Sequence, residues 1–209
     1  MVLERLRDNI DPLLSAIAKR FSKIHPDILT WISVVFAFAA GVFFYFSSAD
    51  AELTNFYLYF AALFVFLNGL FDAIDGKVAK LLKKTTARGD FLDHALDRYS
   101  DVFMVGGLAL STWCRPSIGL LAIIGVLLTS YMGTQSQAVG KKRDYSGLLG
   151  RADRLVLLMI VPLIQHLLLY YNFQVPVALS LLEWVLIYFA VVGNITAVQR
   201  FCGTYRAFK

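Results

Sequence analysis

The feature that most constrains this chain is a succession of six apolar stretches, each close to the roughly 20 residues a helix needs to cross a bilayer. They cover Ile28–Phe46, Phe56–Phe71 continuing into Asp72–Leu82, Asp90–Thr112, Ile118–Ala138, Leu155–Tyr171 and Val177–Val198. Inside lipid a backbone has no water to bond to, so stretches of this kind are helices. The expected fold is all-α: a single polytopic membrane domain over residues 1–209, with a six-helix transmembrane bundle over 26–201. A hydrophobic content of 58%, against about 45–50% in soluble domains, agrees with this. Pro26 and Asp27 are a start signal for the first span.

Residues 1–25 read differently. Leu3, Leu6, Ile10, Leu13, Leu14, Ile17, Ala18 and Phe21 repeat at helical spacing, with Arg5, Arg7, Asp8, Lys19 and Arg20 on other faces. A basic amphipathic helix beside a span is expected to lie in the membrane interface; a helix docked on the protein is the alternative. The first residues contain no continuous apolar core and no small-residue cleavage site, so no cleaved signal peptide is expected. Cys114 and Cys202 lie in different segments and suggest neither a disulfide framework nor a metal site.

Charge gives the expected orientation. Of the 20 Lys and Arg, all but Arg115 fall before the first span, between Lys77 and Arg98, between Lys141 and Arg154, or after Val198. By the positive-inside rule both termini and the 2–3 and 4–5 connections face the cytoplasm. The net charge of +5 then belongs to one membrane face, where it suits anionic headgroups or phosphates. These basic residues have no soluble platform, and nucleic acid is not an expected partner.

The 2–3 connection carries the chemistry. It reads Asp72-Ala-Ile-Asp75-Gly76-Lys77-Val-Ala79-Lys80, then eight residues, then Gly89-Asp90-Phe-Leu-Asp93-His94-Ala-Leu-Asp97. Asp72 and Asp75 lie one turn apart, while Asp90, Asp93, Asp97 and Asp101 share a face of the next helix. Antiparallel neighbours can bring the two acidic faces together. Only Val102–Cys114 remains for the third span to reach the far side, so Asp97 and Asp101 must lie below the headgroups. A charge there costs at least about 2.5–3.5 kcal/mol, and clustered carboxylates repel one another unless something positive holds them. Mg2+ or Mn2+ suits an all-carboxylate set without Cys. Salt bridges to Lys77, Lys80, Arg88 and Arg98 are the plainer alternative. Gly76 and Gly89 cost a helix about 0.8–1.0 kcal/mol each relative to Ala, which is consistent with close approach by a ligand or by another helix.

These residues resemble the signature of the CDP-alcohol phosphotransferase family: D-x2-D-G-x2-A-R, eight or nine residues, then G-x3-D-x3-D. Asp72, Asp75, Gly76, Ala79, Gly89, Asp93 and Asp97 match it in type and spacing, and Lys80 stands where the family has Arg. Lys lacks the bidentate fork of Arg, so that phosphate contact is expected to be weaker or aimed differently. The resemblance implies a two-metal site (Mg2+ or Mn2+) on Asp72, Asp75, Asp93 and Asp97, with Asp97 as general base. It also implies Gly76, Ala79, Lys80, Thr86 and Gly89 around the nucleotide and diphosphate of CDP-diacylglycerol or CDP-archaeol. A polar alcohol acceptor, the lipid bilayer and a second copy in a homodimer are the other implied partners.

Within the family, Asp93-His-Ala-Leu-Asp97-Arg98-Tyr-Ser-Asp101 looks like the branch that uses inositol phosphate. Arg151, Arg154 and Arg200 are candidate cations for the acceptor, with Gln135 as a hydrogen-bonding candidate. Relatives of this branch often carry Lys or Arg where this chain reads Tyr131-Met-Gly133-Thr-Gln135-Ser-Gln137. That uncharged stretch and Leu148-Leu-Gly-Arg-Ala-Asp-Arg-Leu look most like archaeal members. Lys141–Arg143 reads as ordinary positive-inside charge, His94 as packing or interfacial, and Glu183 as structural near the far interface. Rival readings are a glycerol phosphate acceptor, an intramembrane prenyltransferase, and a cation transporter. The prenyltransferase lacks this glycine placement, and a transporter needs acids deep in spans four to six, which this chain does not have.

Overall fold

The apolar stretches form long helices that associate side by side, as seen in a computed structural model that describes residues 4–48, 56–171 and 179–208. The side chains of residues 4–10 lie outside that description, as does the start of the sixth apolar stretch. In chain order the elements are α1 (Glu4–Arg20), α2 (Pro26–Phe46), α3 (Tyr57–Leu81), α4 (Ala87–Ala109), α5 (Pro116–Ala138), α6 (Arg151–Tyr170) and α7 (Leu181–Arg206). A π-helical turn over Phe189–Gly193 interrupts α7. Among the described residues every regular element is a helix.

Five of these helices, α2, α3, α5, α6 and α7, are long and apolar enough to cross a membrane. They turn Val35, Phe38, Leu63, Phe66, Leu120 and Ile164 outward, as helices solvated by lipid do. The stretch expected as the third span is the exception. Arg88, Asp90, Asp93, Asp97, Arg98 and Asp101 on α4 keep it out of that apolar class.

What holds α4 in the bundle is packing. Met104, Val105 and Leu108 are buried in the main core with Phe44, Leu58, Val65, Leu158, Leu186 and Phe189. At the α2–α4 crossing, a Cβ on Gly41 would lie 2.2 Å from the Phe103 carbonyl oxygen, and one on Gly107 would lie 2.1 Å from that of Gly41. Glycines facing each other let two backbones touch, the usual way helices gain contact where lipid supplies no hydrophobic drive.

The two ends of the bundle differ in chemistry. At one end Arg115 Nε meets Glu183 Oε1 at 2.9 Å, and Trp113 Nε1 donates to Ser47 Oγ at 2.8 Å. At the other lie the ends of α3, α5 and α7, the starts of α4 and α6, and nearly all the charge. Helix α1 docks there: Ala18, Ile17 and Phe21 pack with Leu29, Phe71, Ile74 and Val78, and Lys77 Nζ pairs with the Asp11 carboxylate. The second half of α1 therefore packs on protein, while Leu13 points outward, 63% exposed. Leu3, Leu6, Ile10 and the early charges lie outside the described side chains.

Candidate active site

A short turn over 82–86 reverses the chain between α3 and α4. Thr86 ends it by accepting a hydrogen bond from Gly89 N at 3.1 Å, a serine- or threonine-type N-cap that satisfies one of the first free amides. Gly89 is fixed by this cap, since a Cβ there would sit 3.3 Å from Thr86 Oγ1. A Cβ on Gly76 would meet nothing within 4 Å; the residue borders open space instead of another helix.

The reversal sets the acidic face of α3 against that of α4. Carboxylate oxygens of Asp72, Asp75 and Asp93 lie within 4.8 Å of one another, and so do ligand atoms of Asp93, His94 and Asp97. Asp75 and Asp97 are buried, at 5% and 8% exposure. Asp75 Oδ2 has no hydrogen-bond partner despite its burial. An unpartnered buried carboxylate oxygen is costly unless a cation satisfies it. A compact, oxygen-dominated set of this kind fits Mg2+ or Mn2+, which bind hard carboxylate donors.

Cations arrive from the opposite side. Gly150 caps the start of α6, its N–H donating to Asp153 Oδ2 at 2.9 Å, and the first turn of the helix carries Arg151 and Arg154. Arg151 Nη1 lies 2.7 Å from Asp72 Oδ2 and 2.7 Å from Asp97 Oδ1, bridging the two acidic helices. Its Nε and Nη2 are buried without partners. Arg154 Nη2 meets Asp101 Oδ2 at 2.9 Å, with both side chains 3% exposed, and its Nη1 donates to Val126 O at 3.2 Å. From α7, Arg200 donates to Thr129 O at 2.7 Å and to Ser146 O at 2.8 Å.

All of this surrounds one cavity of about 560 Å³. Asp72, Gly76, Lys80, Asp93, Asp97, Arg151, Arg154 and Arg200 line it. Asp75 sits just behind Asp72 and Asp93. Ala79, Thr86 and Gly89 are not in the lining and sit on the α3–α4 reversal. Gln135 is exposed and also outside it.

Three side chains have more part in the site than the sequence suggested. His94 and Arg143 both line the cavity; Arg143 Nη1 lies against the His94 ring, 3.0 Å from Nδ1. The two are 49 residues apart in the chain, and no local periodicity joins them. Asp101, expected on the acidic face, is taken up by Arg154. The same-face spacing from Asp93 and Asp97 was the signal for its direction, but its partner is set only by tertiary packing.

Comparison with known proteins places these features in a family. A family model described as CDP-alcohol phosphatidyltransferase matches residues 23–196. The archaetidylinositol phosphate synthase of Aeropyrum pernix is 29% identical over 200 residues, covering 94% of this chain and 96% of that one. The archaetidylinositol phosphate synthase of Pyrococcus horikoshii is 28% identical over 164 residues, covering 78% and 82%. Crystal structures of Mycobacterium tuberculosis phosphatidylinositol phosphate synthase share the fold at 24% identity. With CDP-DAG bound, the TM-score is 0.70 over 93% of this chain and 94% of that one; with manganese and citrate, it is 0.71 over 92% and 88%. Since the family model runs from just before α2 into α7 and covers the whole of α3, α4, α5 and α6, this chain belongs to the CDP-alcohol phosphatidyltransferase family and is a transferase of phospholipid biosynthesis.

Proposed function

We propose that this protein transfers a lipid-bearing phosphoryl group from CDP-archaeol or CDP-diacylglycerol to a hydroxyl of inositol phosphate, with release of CMP. One observation carries the reading: Asp72, Asp93 and Asp97 on α3 and α4, with Asp75 close behind them, face three arginines on α6 and α7 around one cavity. The first set suits a diphosphate with its counter-ions, the second a phosphorylated acceptor. The names of the Aeropyrum and Pyrococcus relatives support inositol phosphate.

In this reading Asp72, Asp75, Asp93 and Asp97 hold two divalent cations, Mg2+ or Mn2+. Bound there, such cations neutralise the diphosphate and ease departure of CMP. Gly76 and Lys80 border the diphosphate, Lys80 as a point charge. Ala79, Thr86 and Gly89 shape the turn beside the nucleotide. Asp97 accepts the proton of the attacking hydroxyl as the new oxygen–phosphorus bond forms and the bond to CMP breaks. Arg151, Arg154 and Arg200 hold the acceptor so that its hydroxyl stands in line with that bond; Gln135, outside the cavity lining, is the weakest member of the acceptor set. Arg151 bridges Asp72 and Asp97, and so it links the two halves of the site.

We further propose that α4 completes a six-span bundle as its polar half turns inward, and that residues 1–209 form one domain. Helix α1 lies at the interface with its second half docked. The cavity and both termini face the cytoplasm, in line with the basic residues gathered at that end, and the protein works as a homodimer. Glycerol phosphate is the alternative acceptor, since the end of α5 is uncharged.

The test is CMP release from CDP-archaeol and from CDP-diacylglycerol against inositol phosphate, glycerol phosphate, serine and inositol, with Mg2+ or Mn2+. Release with inositol phosphate is expected. Release only with glycerol phosphate would move the assignment to the second acceptor. No release with any alcohol would remove the reading, and uptake of a cation by vesicles would then favour a transporter.

A further inference from the structure

The connection from α5 to α6 borders the cavity as a tied strap. Gly140 and Gly147 take positive φ, 78° and 106°, which suits glycine and lets the strap turn sharply at two points. Between them the strap is pinned to α5 and α7. Ser136 Oγ donates to Lys142 O at 2.9 Å, Asp144 N to Gly133 O at 3.4 Å, and Arg200 Nε to Ser146 O at 2.8 Å. Where it crosses α5, a Cβ on Gly133 would lie 2.8 Å from Asp144 O and 3.1 Å from Arg200 Nη1. The end of α5 has no room for a side chain at that point. It also carries no charge from Ser130 to Gly140.

The strap brings its own cation. Arg143 lines the cavity, its guanidinium held between the His94 ring and the Tyr145 ring, 5.0 Å from the latter's centroid. Among the described residues it takes part in no ion pair, whereas Arg98, Arg151 and Arg154 each have a carboxylate partner. Arg200 likewise makes no ion pair among the described residues: two carbonyl oxygens hold it, with the Asp144 carboxylate near enough to act on its charge. Arg143 and Arg154 are each near enough to Arg200 for their charges to act on it. Three guanidiniums share this wall with two carboxylates, Asp101 on Arg154 and Asp144 near Arg200, which leaves a net positive charge that a phosphate relieves.

We infer that Arg143 is a specificity-determining residue: it contacts the phosphate of the acceptor together with Arg200, and so favours a phosphomonoester over a neutral polyol. This rests on the proposed reading that the acceptor carries a phosphate. His94 and Tyr145 orient the guanidinium, and the strap's ties to Arg200 keep the two cations in register.

The experiment is steady-state CMP release by the membrane-embedded protein, wild type against Arg143→Gln and Arg143→Lys, with acceptor and CDP-lipid each varied. The wild type is first run with inositol phosphate, glycerol phosphate and inositol, and the variants with whichever phosphorylated acceptor supports turnover. Arg143→Gln is expected to raise the KM for that acceptor about 10-fold or more, the worth of a lost charged hydrogen bond. The KM for CDP-lipid and kcat at saturating acceptor should stay within about 2-fold, since uniform binding is what is lost. Arg143→Lys should recover part of the affinity. An unchanged acceptor KM in Arg143→Gln, or a rise in the CDP-lipid KM instead, would overturn the inference alone. A wild type that turns over glycerol phosphate but not inositol phosphate would overturn the acceptor assignment alone. A wild type active only on a neutral alcohol would overturn both.

Discussion

The acidic and basic walls of the cavity are built in opposite ways. The acidic wall comes from two consecutive helices joined by the short 82–86 turn, and its carboxylates keep their relation through the helical period alone. The basic wall is assembled from the strap after α5, the first turn of α6 and the end of α7, tied by hydrogen bonds from Arg200, Ser136 and Leu149. A wall fixed by local geometry suits the invariant part of a reaction, the diphosphate and the proton transfer. One assembled from three distant segments can change its acceptor without disturbing the chemistry. The account therefore expects substitutions on the two walls to have separate kinetic effects.

The largest effect is expected on the acidic wall. Asp97→Asn keeps size and hydrogen-bonding capacity but cannot take a proton, and kcat should fall by roughly a thousandfold or more, about 4 kcal/mol of barrier. CDP-lipid binding, measured by equilibrium titration in nanodiscs, should change little. Retained turnover would assign the proton to another group. Next comes Asp101→Asn, which leaves Arg154 buried and uncompensated. Breaking a pair of this kind costs about 3–5 kcal/mol, so thermal unfolding in detergent should move down, and the acceptor KM should rise if Arg154 is on that wall. An unchanged melting profile would mean that Arg154 finds another partner.

A smaller, purely kinetic effect is expected from Arg200→Gln: an acceptor KM raised by about 10-fold, with the CDP-lipid KM nearly constant. The smallest is Lys80→Arg, which keeps a cation at the exposed end of α3 and should leave turnover within a few-fold of wild type, on the order of 1 kcal/mol or less. Complete loss would mean that the site is shaped around the shorter ammonium contact.

The two walls also differ in how far they could be read from the chain. Asp72, Asp75, Asp93 and Asp97 were legible, because two helices and a reversal suffice to bring them together. The direction of Asp101 followed from the same period, but not its partner. Arg151 and Arg154 were read as acceptor residues, yet the structure sets Arg151 across Asp72 and Asp97, a contact no spacing encodes. Arg143 and His94 read as plain surface charge and packing. Their meeting depends on how the strap crosses α5 at Gly133, which is a property of the folded bundle.

The helices themselves were legible from hydropathy, except that the acids place α4 outside the apolar class. Its position depends on the Gly41–Gly107 contact and on Met104 and Leu108 in the core. Docking of α1 through Ala18, Phe21 and Lys77 was equally hidden, because an amphipathic stripe does not say whether lipid or protein covers it.

The division of labour between the walls is tested most directly by one data set: CMP release as a function of inositol phosphate concentration for wild type, Asp97→Asn and Arg200→Gln at saturating CDP-lipid. The account predicts a collapse of kcat in Asp97→Asn at every acceptor concentration, and in Arg200→Gln a near-normal kcat reached only at higher acceptor. A loss of kcat in Arg200→Gln with unchanged acceptor KM, or a normal kcat in Asp97→Asn, would contradict it.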